Sequence, residues 1–517
     1  MSTPKMTFGP PSLQLLLLLA ACWTASPCTG LALAPRRLRL SRGPSDSSPL
    51  TITWATEGGL LPAAVCVEWE AALPAAGRGL DQPRLGPGPA PQQRCASGAS
   101  TPFHDPGVNA TTQVVHSMEL RGVDLPPGHP FRYRVATVDA AAAVVVAAAA
   151  VWSPWQAAHV PGSNDEETRL LVLGDMGLYN APALPALIQD AESAAQAGAP
   201  FHAALHVGDL AYDLHSYGGS RGSRFLEAVQ PLAASLPYMV APGNHEAGPH
   251  NFTHYRSLFR MPDQGVTENL YYSFDVGLVH VMVYNTEVFF WPDYFWEPHM
   301  EAMLAWMEAD LQAAQAQRAK HPWILAVGHR PMYCAAPLGS TGRCHEESEA
   351  SRNGVPSQCP HNNPLACKPE PGRRAFPVEP LFQAYGVDLA VYGHIHDYER
   401  YLPVLNYTVS GSVERRADNA TVYVSPGATV HITAGGAGNS EMRKGECPPP
   451  QGACSPHATW CAFQSGFAPR GCQGADHSYG RLTALNSTHL HWVQWSHTFD
   501  RVVDDWWIVS PSHGPFA

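Results

Sequence analysis

The chain changes rhythm near residue 168. Before that point, apolar and polar positions alternate in short runs such as Thr51-Ile-Thr-Trp-Ala-Thr and Phe131-Arg-Tyr-Arg-Val-Ala. A period of two places alternate side chains on one face of a strand. Proline- and glycine-rich stretches, Arg84 to Pro91 among them, separate the runs. Residues 31–160 therefore predict an all-β sandwich. No cluster of histidines and acids stands out within it, so it reads as a supporting domain. The polar stretch Pro161 to Glu167 reads as a linker.

Beyond residue 168, continuous apolar runs of strand length alternate with helical stretches. The runs are Leu170 to Leu173, Ala203 to Val207, Tyr238 to Ala241, Leu278 to Tyr284, Trp323 to Val327 and Val387 to Tyr392. The helical stretches include Leu184 to Ala197 and His299 to Ala319. In the second, Met300, Met303, Leu304, Met307 and Leu311 recur at helical spacing, which marks a core-facing stripe. Alternating strand and helix predicts a layered α/β domain over residues 168–517. No internal repeat interrupts it.

Composition adds bounds. With 517 residues the chain is long enough for about two domains. Apolar residues make up 45% and charged residues 15%, which excludes global disorder. A formal charge of -12 without long basic runs argues against nucleic-acid binding. Residues 1–30 read as a secretory signal: Lys5, then apolar Leu15 to Ala21, then small residues from Ala25 to Gly30. The apolar run is too short to span a bilayer, as is Ala140 to Trp152, which predicts a buried strand or hairpin. A retained signal anchor is the alternative for the N-terminus.

Entry into the secretory pathway changes the meaning of the 12 cysteines. Cys22 and Cys28 lie in or beside the signal. The rest form local groups: Cys66 and Cys95; Cys334, Cys344, Cys359 and Cys367; Cys447, Cys454, Cys461 and Cys472. Pairing within each group is the simplest disulfide framework, and the absence of a CxxC argues against zinc. Glycosylation sequons at Asn109, Asn251, Asn406, Asn419 and Asn486 favour the same compartment. The expected location is outside the cell or in a lysosomal or vacuolar lumen.

The chemistry lies at the strand ends. The runs lead into Gly174-Asp175-Met176-Gly177, Gly208-Asp209-Leu210-Ala211-Tyr212, Gly243-Asn244-His245-Glu246, Gly328-His329-Arg330-Pro331 and Gly393-His394-Ile395-His396. Ligands of open α/β sheets bind beyond the carboxyl ends of strands. Each motif alone has an ordinary reading: a turn, a helix cap, a surface histidine. Together, five strand ends deliver metal-binding side chains to one edge. Carboxylate and phenolate suit Fe(III), and neutral imidazole and amide suit a divalent ion.

These motifs, in this order, resemble the metallophosphoesterases, and Tyr212 narrows the resemblance to the purple acid phosphatases. Tyr238 to Glu246, His329 to Tyr333 and Asp397 to Arg400 resemble the high-molecular-weight animal and plant-type members. The resemblance implies a β-sandwich-with-helices catalytic domain preceded by a fibronectin-like one. It implies that Asp175, Tyr212 and His396 bind Fe3+. Asn244, His329 and His394 would bind a divalent metal (Fe2+, Zn2+ or Mn2+), with Asp209 bridging. The implied reaction is acid phosphomonoester hydrolysis by a metal-bound hydroxide. His245 is the candidate catalytic residue, contacting phosphate and assisting the leaving group, with support of Asn244 as its competing role.

Two positions depart from the family pattern. Ala326 stands where valine is usual. Residues 335–341 lack the substrate-facing histidine pair of plant members, with His345 the nearest histidine. A phosphodiesterase or nucleotidase, and a non-catalytic glycoprotein with a vestigial site, are the alternatives. The last predicts loss of a metal ligand, and none is missing. The expected partner is a small phosphomonoester, with no nucleic acid and no stable membrane span. The sequence leaves the oligomeric state open, a homodimer included.

Overall fold

The computed structural model describes residues 34–516 except 60, 63, 72–90, 97–99, 108–109, 121–128, 139–149, 160–166, 336–343, 356–375, 417–419, 443–453, 455–457 and 466–475. The signal segment, most of the linker, nearly all of the 84–91 stretch, most of the Ala140–Trp152 run, Asn109, Asn419, and Cys22, Cys28, Cys359, Cys367, Cys447 and Cys472 lie outside the described residues.

The N-terminal region is all-β. Arg36–Ser41, Leu50–Glu57, Thr112–Leu120 and Ser100–His104 form one sheet. Gln92–Ala96, Ala64–Ala71, Pro130–Val138 and Ala150–Trp152 form a second, with Gln156–His159 paired to Pro130–Val138. The alternation of the sequence sets the faces: Ile52, Trp54, Val65, Val67, Phe131, Tyr133 and Val135 share one buried cluster. A disulfide joins Cys66 and Cys95. The cluster also contains Ala234 of the following region, whose carbonyl accepts the Tyr133 hydroxyl at 2.9 Å. Two polar cross-links continue that seam, the second of them buried. Arg37 meets Gln113 and Glu227, and His254 meets Asp105.

The larger region has two mixed sheets. In one, Tyr238–Val240, Ala203–His206 and Thr168–Leu173 run parallel, followed by antiparallel Ser478–Ala484, His489–Ser496 and Arg501–Val509. In the other, Val279–Val283, Trp323–Val327, Leu389–Tyr392 and Val430–Ala434 run parallel. These strands are buried along nearly their whole length, which explains the continuous apolar runs. One apolar cluster spans residues of both sheets and of the helices Ala183–Gln196, Ser220–Ala233 and Glu297–Ala316. Met300, Met303, Met307 and Leu311 of the last helix enter it fully and Leu304 partly. Among the described residues no helix is long and apolar enough to cross a membrane.

One polar group ties that helix to its sheet. His280 Nδ1 lies 2.8 Å from Asp275 on the neighbouring strand, and Nε2 lies 3.0 Å from Asp310 of the helix. Burial opposes the charged imidazole, but the two carboxylates raise it from 6.5 to about 9. A folded-state value above the unfolded one stabilises fully below about pH 6.5 and loses that contribution as pH rises through about 9. His280→Gln is therefore expected to cost on the order of 2–3 kcal/mol at mildly acid pH and much less above pH 9.5. Thermal melts of both proteins across that range check this; a pH-independent difference contradicts it.

Candidate functional site

The site forms where the carboxyl ends of the two parallel strand groups meet. Asp175, Asp209 and Asn244 follow three strands of one sheet; His329, His394 and His396 follow two strands of the other. Backbone bonds hold the loops together. Asp175 N–H donates to the Gly208 carbonyl at 3.2 Å, and Gly393 N–H donates to the His329 carbonyl at 2.9 Å. Asp175, Asp209, Tyr212 and His394 all have positive φ, at 56°, 52°, 49° and 69°. Non-glycine residues held in this region cluster at functional sites, where the surrounding structure enforces them.

The structure brings all seven candidate ligands together in two linked groups. In one, the Tyr212 hydroxyl donates to Asp175 Oδ1 at 3.1 Å and lies 2.8 Å from His396 Nε2. In the other, His329 Nε2 lies 3.1 Å from Asp209 Oδ2 and 3.2 Å from Asn244 Oδ1. Ligand atoms of Asp209, His329 and His394 lie within 4.8 Å of one another. His329 Nδ1 sits 2.9 Å from the Val207 carbonyl, which can only accept, so Nδ1 carries the proton. A neutral His329 then presents a lone pair at Nε2, aimed where an amide oxygen and a carboxylate oxygen also converge. Three acceptors facing one another need a cation or an extra proton.

The electrostatics report the same need. Burial pushes Asp175 well above the usual carboxylate range, and Asp209 adds to that while His329 opposes it. Burial also acts on Asp209, but His329 and His245 outweigh it and hold Asp209 below the usual range. His329 is fully buried, which lowers it, yet Asp209 and Asp175 draw it up to about 10. Burial takes His396 down to about 4. A bound metal would replace the proton that His329 otherwise takes. The donor set fits two cations: two carboxylates, a phenol, an amide and three imidazoles.

His245 lies at the same place. Its backbone N–H donates to Asp209 Oδ1 at 2.8 Å, and its ring centre is 4.3 Å from that of Tyr212. Asp213 Oδ1 is 2.7 Å from His245 Nδ1, so Nε2 is the nitrogen left toward the site, 4.0 Å from Asp209 Oδ2 and 3.7 Å from Glu441. Burial opposes its protonation, but the Asp213 bond and Asp209 raise it to about 9.

Several contributors escaped the sequence reading. Glu246 is buried and accepts from the backbone N–H groups of Asp209, Leu210 and Gly243 at 2.8, 2.9 and 2.9 Å, fixing two loops at once. It stands in the Gly-Asn-His-Glu motif, so a signal existed. Glu347 had none. Its Oε2 is 2.9 Å from His394 Nε2 and 3.1 Å from Arg330 Nη1, whose guanidinium is held in turn by buried Glu287. The disulfide Cys334–Cys344 anchors the helix Cys344–Asn353 that carries it. His345 of that helix faces Trp460, with ring centres 6.5 Å apart. A third disulfide joins Cys454 and Cys461. Of the sequon asparagines, Asn406 and Asn486 are exposed and Asn251 is half-buried.

Comparison with known proteins places this geometry. A calcineurin-like phosphoesterase family profile matches residues 168–398, and an iron/zinc purple acid phosphatase-like protein C profile matches residues 428–505. Acid phosphatase type 7 of Homo sapiens is 34% identical over 489 residues, 93% of this chain and 92% of that protein. Purple acid phosphatase 18 of Arabidopsis thaliana is 29% identical over 56% of this chain and 53% of its own length. Probable inactive purple acid phosphatase 1 of the same plant is 26% identical over 88% of this chain and 66% of its own. The structure of purple acid phosphatase PPD1 from yellow lupin seeds superposes with a TM-score of 0.64 at 20% identity, covering 92% of this chain and 75% of that one.

Proposed function

The chain belongs to the purple acid phosphatases, and from that premise we propose that it hydrolyses phosphomonoesters at a binuclear metal centre within the secretory pathway or outside the cell. Asp175, Tyr212 and His396 would hold Fe3+. Asn244, His329 and His394 would hold a divalent ion (Fe2+, Zn2+ or Mn2+), with Asp209 between the two. When bound, the metals supply Lewis acidity toward the phosphoryl oxygens and lower the pKa of water.

This chain's residues do the remaining work. Asp209 joins the two ligand groups and is held by the His245 and Glu246 contacts. Glu347 steadies the His394 ring from outside, and Val207 fixes the tautomer of His329. His245 Nε2 sits to contact phosphate and give a proton to the leaving oxygen, with Asp213 fixing the ring. Residues 31–160 would act as a fibronectin-like support for the 168–517 catalytic domain. Among the described residues, three disulfides and two exposed sequons support the oxidising compartment.

The observation that carries the reading is the convergence of Asp209 Oδ2, Asn244 Oδ1 and His329 Nε2, with His329 Nδ1 already committed to Val207. Metal analysis of purified protein should find two metals per chain, one of them iron. A visible charge-transfer band should be present and should vanish in Tyr212→Phe. Iron-free, colourless protein contradicts the ferric assignment; failure to hydrolyse any of a panel of phosphomonoesters contradicts the reaction. Likeness to a relative called probably inactive raises a non-catalytic reading, which the complete ligand set opposes.

A further inference from the structure

The two loops that deliver Asp175 and Tyr212 each carry a large aromatic side chain that protein barely covers. Tyr179, four residues past Asp175, is 61% exposed, and Tyr217, five past Tyr212, is 72% exposed. Arg221, in the first turn of the helix Ser220–Ala233, joins them. Its guanidinium carbon lies 5.3 Å from the centre of the Tyr179 ring and 5.2 Å from that of Tyr217. Its Nε is shielded from water and has no hydrogen-bond partner. A cation shared by two rings fixes their relative placement without burying either.

The loops that carry this aromatic pair lead out of the candidate metal centre. Asp213 stands between Tyr212 and Tyr217 in the chain, and its carboxylate meets His245 Nδ1 at 2.7 Å. The Ser216 hydroxyl donates to Asp213 Oδ2 at 3.4 Å and the Arg221 backbone N–H donates to the Ser216 carbonyl at 3.3 Å, so the turn that carries Arg221 adjoins this carboxylate. On the other side the Asn180 amide donates to the Asn439 carbonyl, and the Asn439 amide donates to the Asp175 carbonyl at 2.9 Å. The Tyr179 loop is therefore tied to the segment that carries Glu441, itself 3.7 Å from His245 Nε2. The Tyr217 and Tyr179 loops therefore adjoin the two carboxylates that face His245, Asp213 on one side and Glu441 on the other.

We propose that Tyr179, Arg221 and Tyr217 form a leaving-group subsite that takes an aromatic ring, so that the preferred substrates are phosphomonoesters of aryl or nucleobase-bearing alcohols. Its place beside a phosphate rests on the phosphatase reading above. Exposed tyrosine faces offer stacking area, and the shared guanidinium has already ordered both rings, so a ligand loses less side-chain entropy on binding. A short aliphatic leaving group gains nothing there.

The test uses metal-loaded full-length protein with two non-hydrolysable probes, phenylphosphonate and methylphosphonate, measured by calorimetry. Tyr217→Ala and Tyr179→Ala should each weaken phenylphosphonate about five- to tenfold and leave methylphosphonate within about twofold. Arg221→Gln should show the same selectivity with an unchanged melting temperature. In turnover, kcat/KM should fall for phenyl phosphate and hold for glycerol 2-phosphate. Equal loss for both probes, or no loss for either, overturns the subsite. Wild-type protein that binds phenylphosphonate through these residues yet hydrolyses neither ester overturns the phosphatase reading and leaves the subsite standing.

Discussion

Asp209→Asn will lower phosphomonoester kcat/KM by about a thousandfold or more, because in the proposed centre this one side chain would serve both metals. The carboxylate is 1% exposed. Its Oδ1 accepts the His245 N–H at 2.8 Å and its Oδ2 lies 3.1 Å from His329 Nε2. An amide keeps the volume but not the charge. One of its two ends is now a donor. Placed at Oδ1, it meets the His245 N–H donor; placed at Oδ2, it takes the position where a ligand lone pair would be offered to a metal. The fold should survive, since nothing is added or removed in bulk. Circular dichroism should be unchanged while the metal content drops. Activity near wild type with full metal content would rule out a bridging role.

Gly208→Ala will disable the site by steric displacement. Gly208 has φ +95°, and a Cβ there would stand 2.3 Å from His329 Nδ1, 2.7 Å from its Cγ and 3.1 Å from Gly243 Cα. None of these is the end of a flexible side chain. His329 is fully buried and pinned by Val207, so it cannot yield without leaving the site. Backbone strain and overpacking together should cost roughly 2–4 kcal/mol. A ligand moved by about 1 Å should cost about a hundredfold in rate. The melting temperature, divalent-metal content and kcat should fall together. An alanine variant that keeps all three would show that this glycine is not there to make room.

Much of this was legible in the chain. Trp323–Val327 reads directly as a strand, because a parallel strand buried on both faces is apolar throughout. The helix read from His299 begins at Glu297 and ends at Ala316, the kind of offset that fraying ends produce. Glycine before each strand-end ligand was visible too. The antiparallel half of the larger sheet was not read. Gly480–Ala484 pairs with Thr168–Val172 across some three hundred residues, and no local pattern states a register at that separation.

What the sequence by itself determined is the kind of atom at each candidate ligand position and its place past a strand end. Local spacing sets side-chain type and direction, and the period of a strand carries both to the loop that follows. What only the tertiary structure decided is which loops face one another. Glu347 reaches His394 because a helix held by Cys334–Cys344 lies over the site. Arg221 lies between Tyr179 and Tyr217 because a helix start and two strand-end loops meet. These distances follow from how two sheets and their helices pack around one core. A single isolated acid or arginine in the chain carries no mark of them.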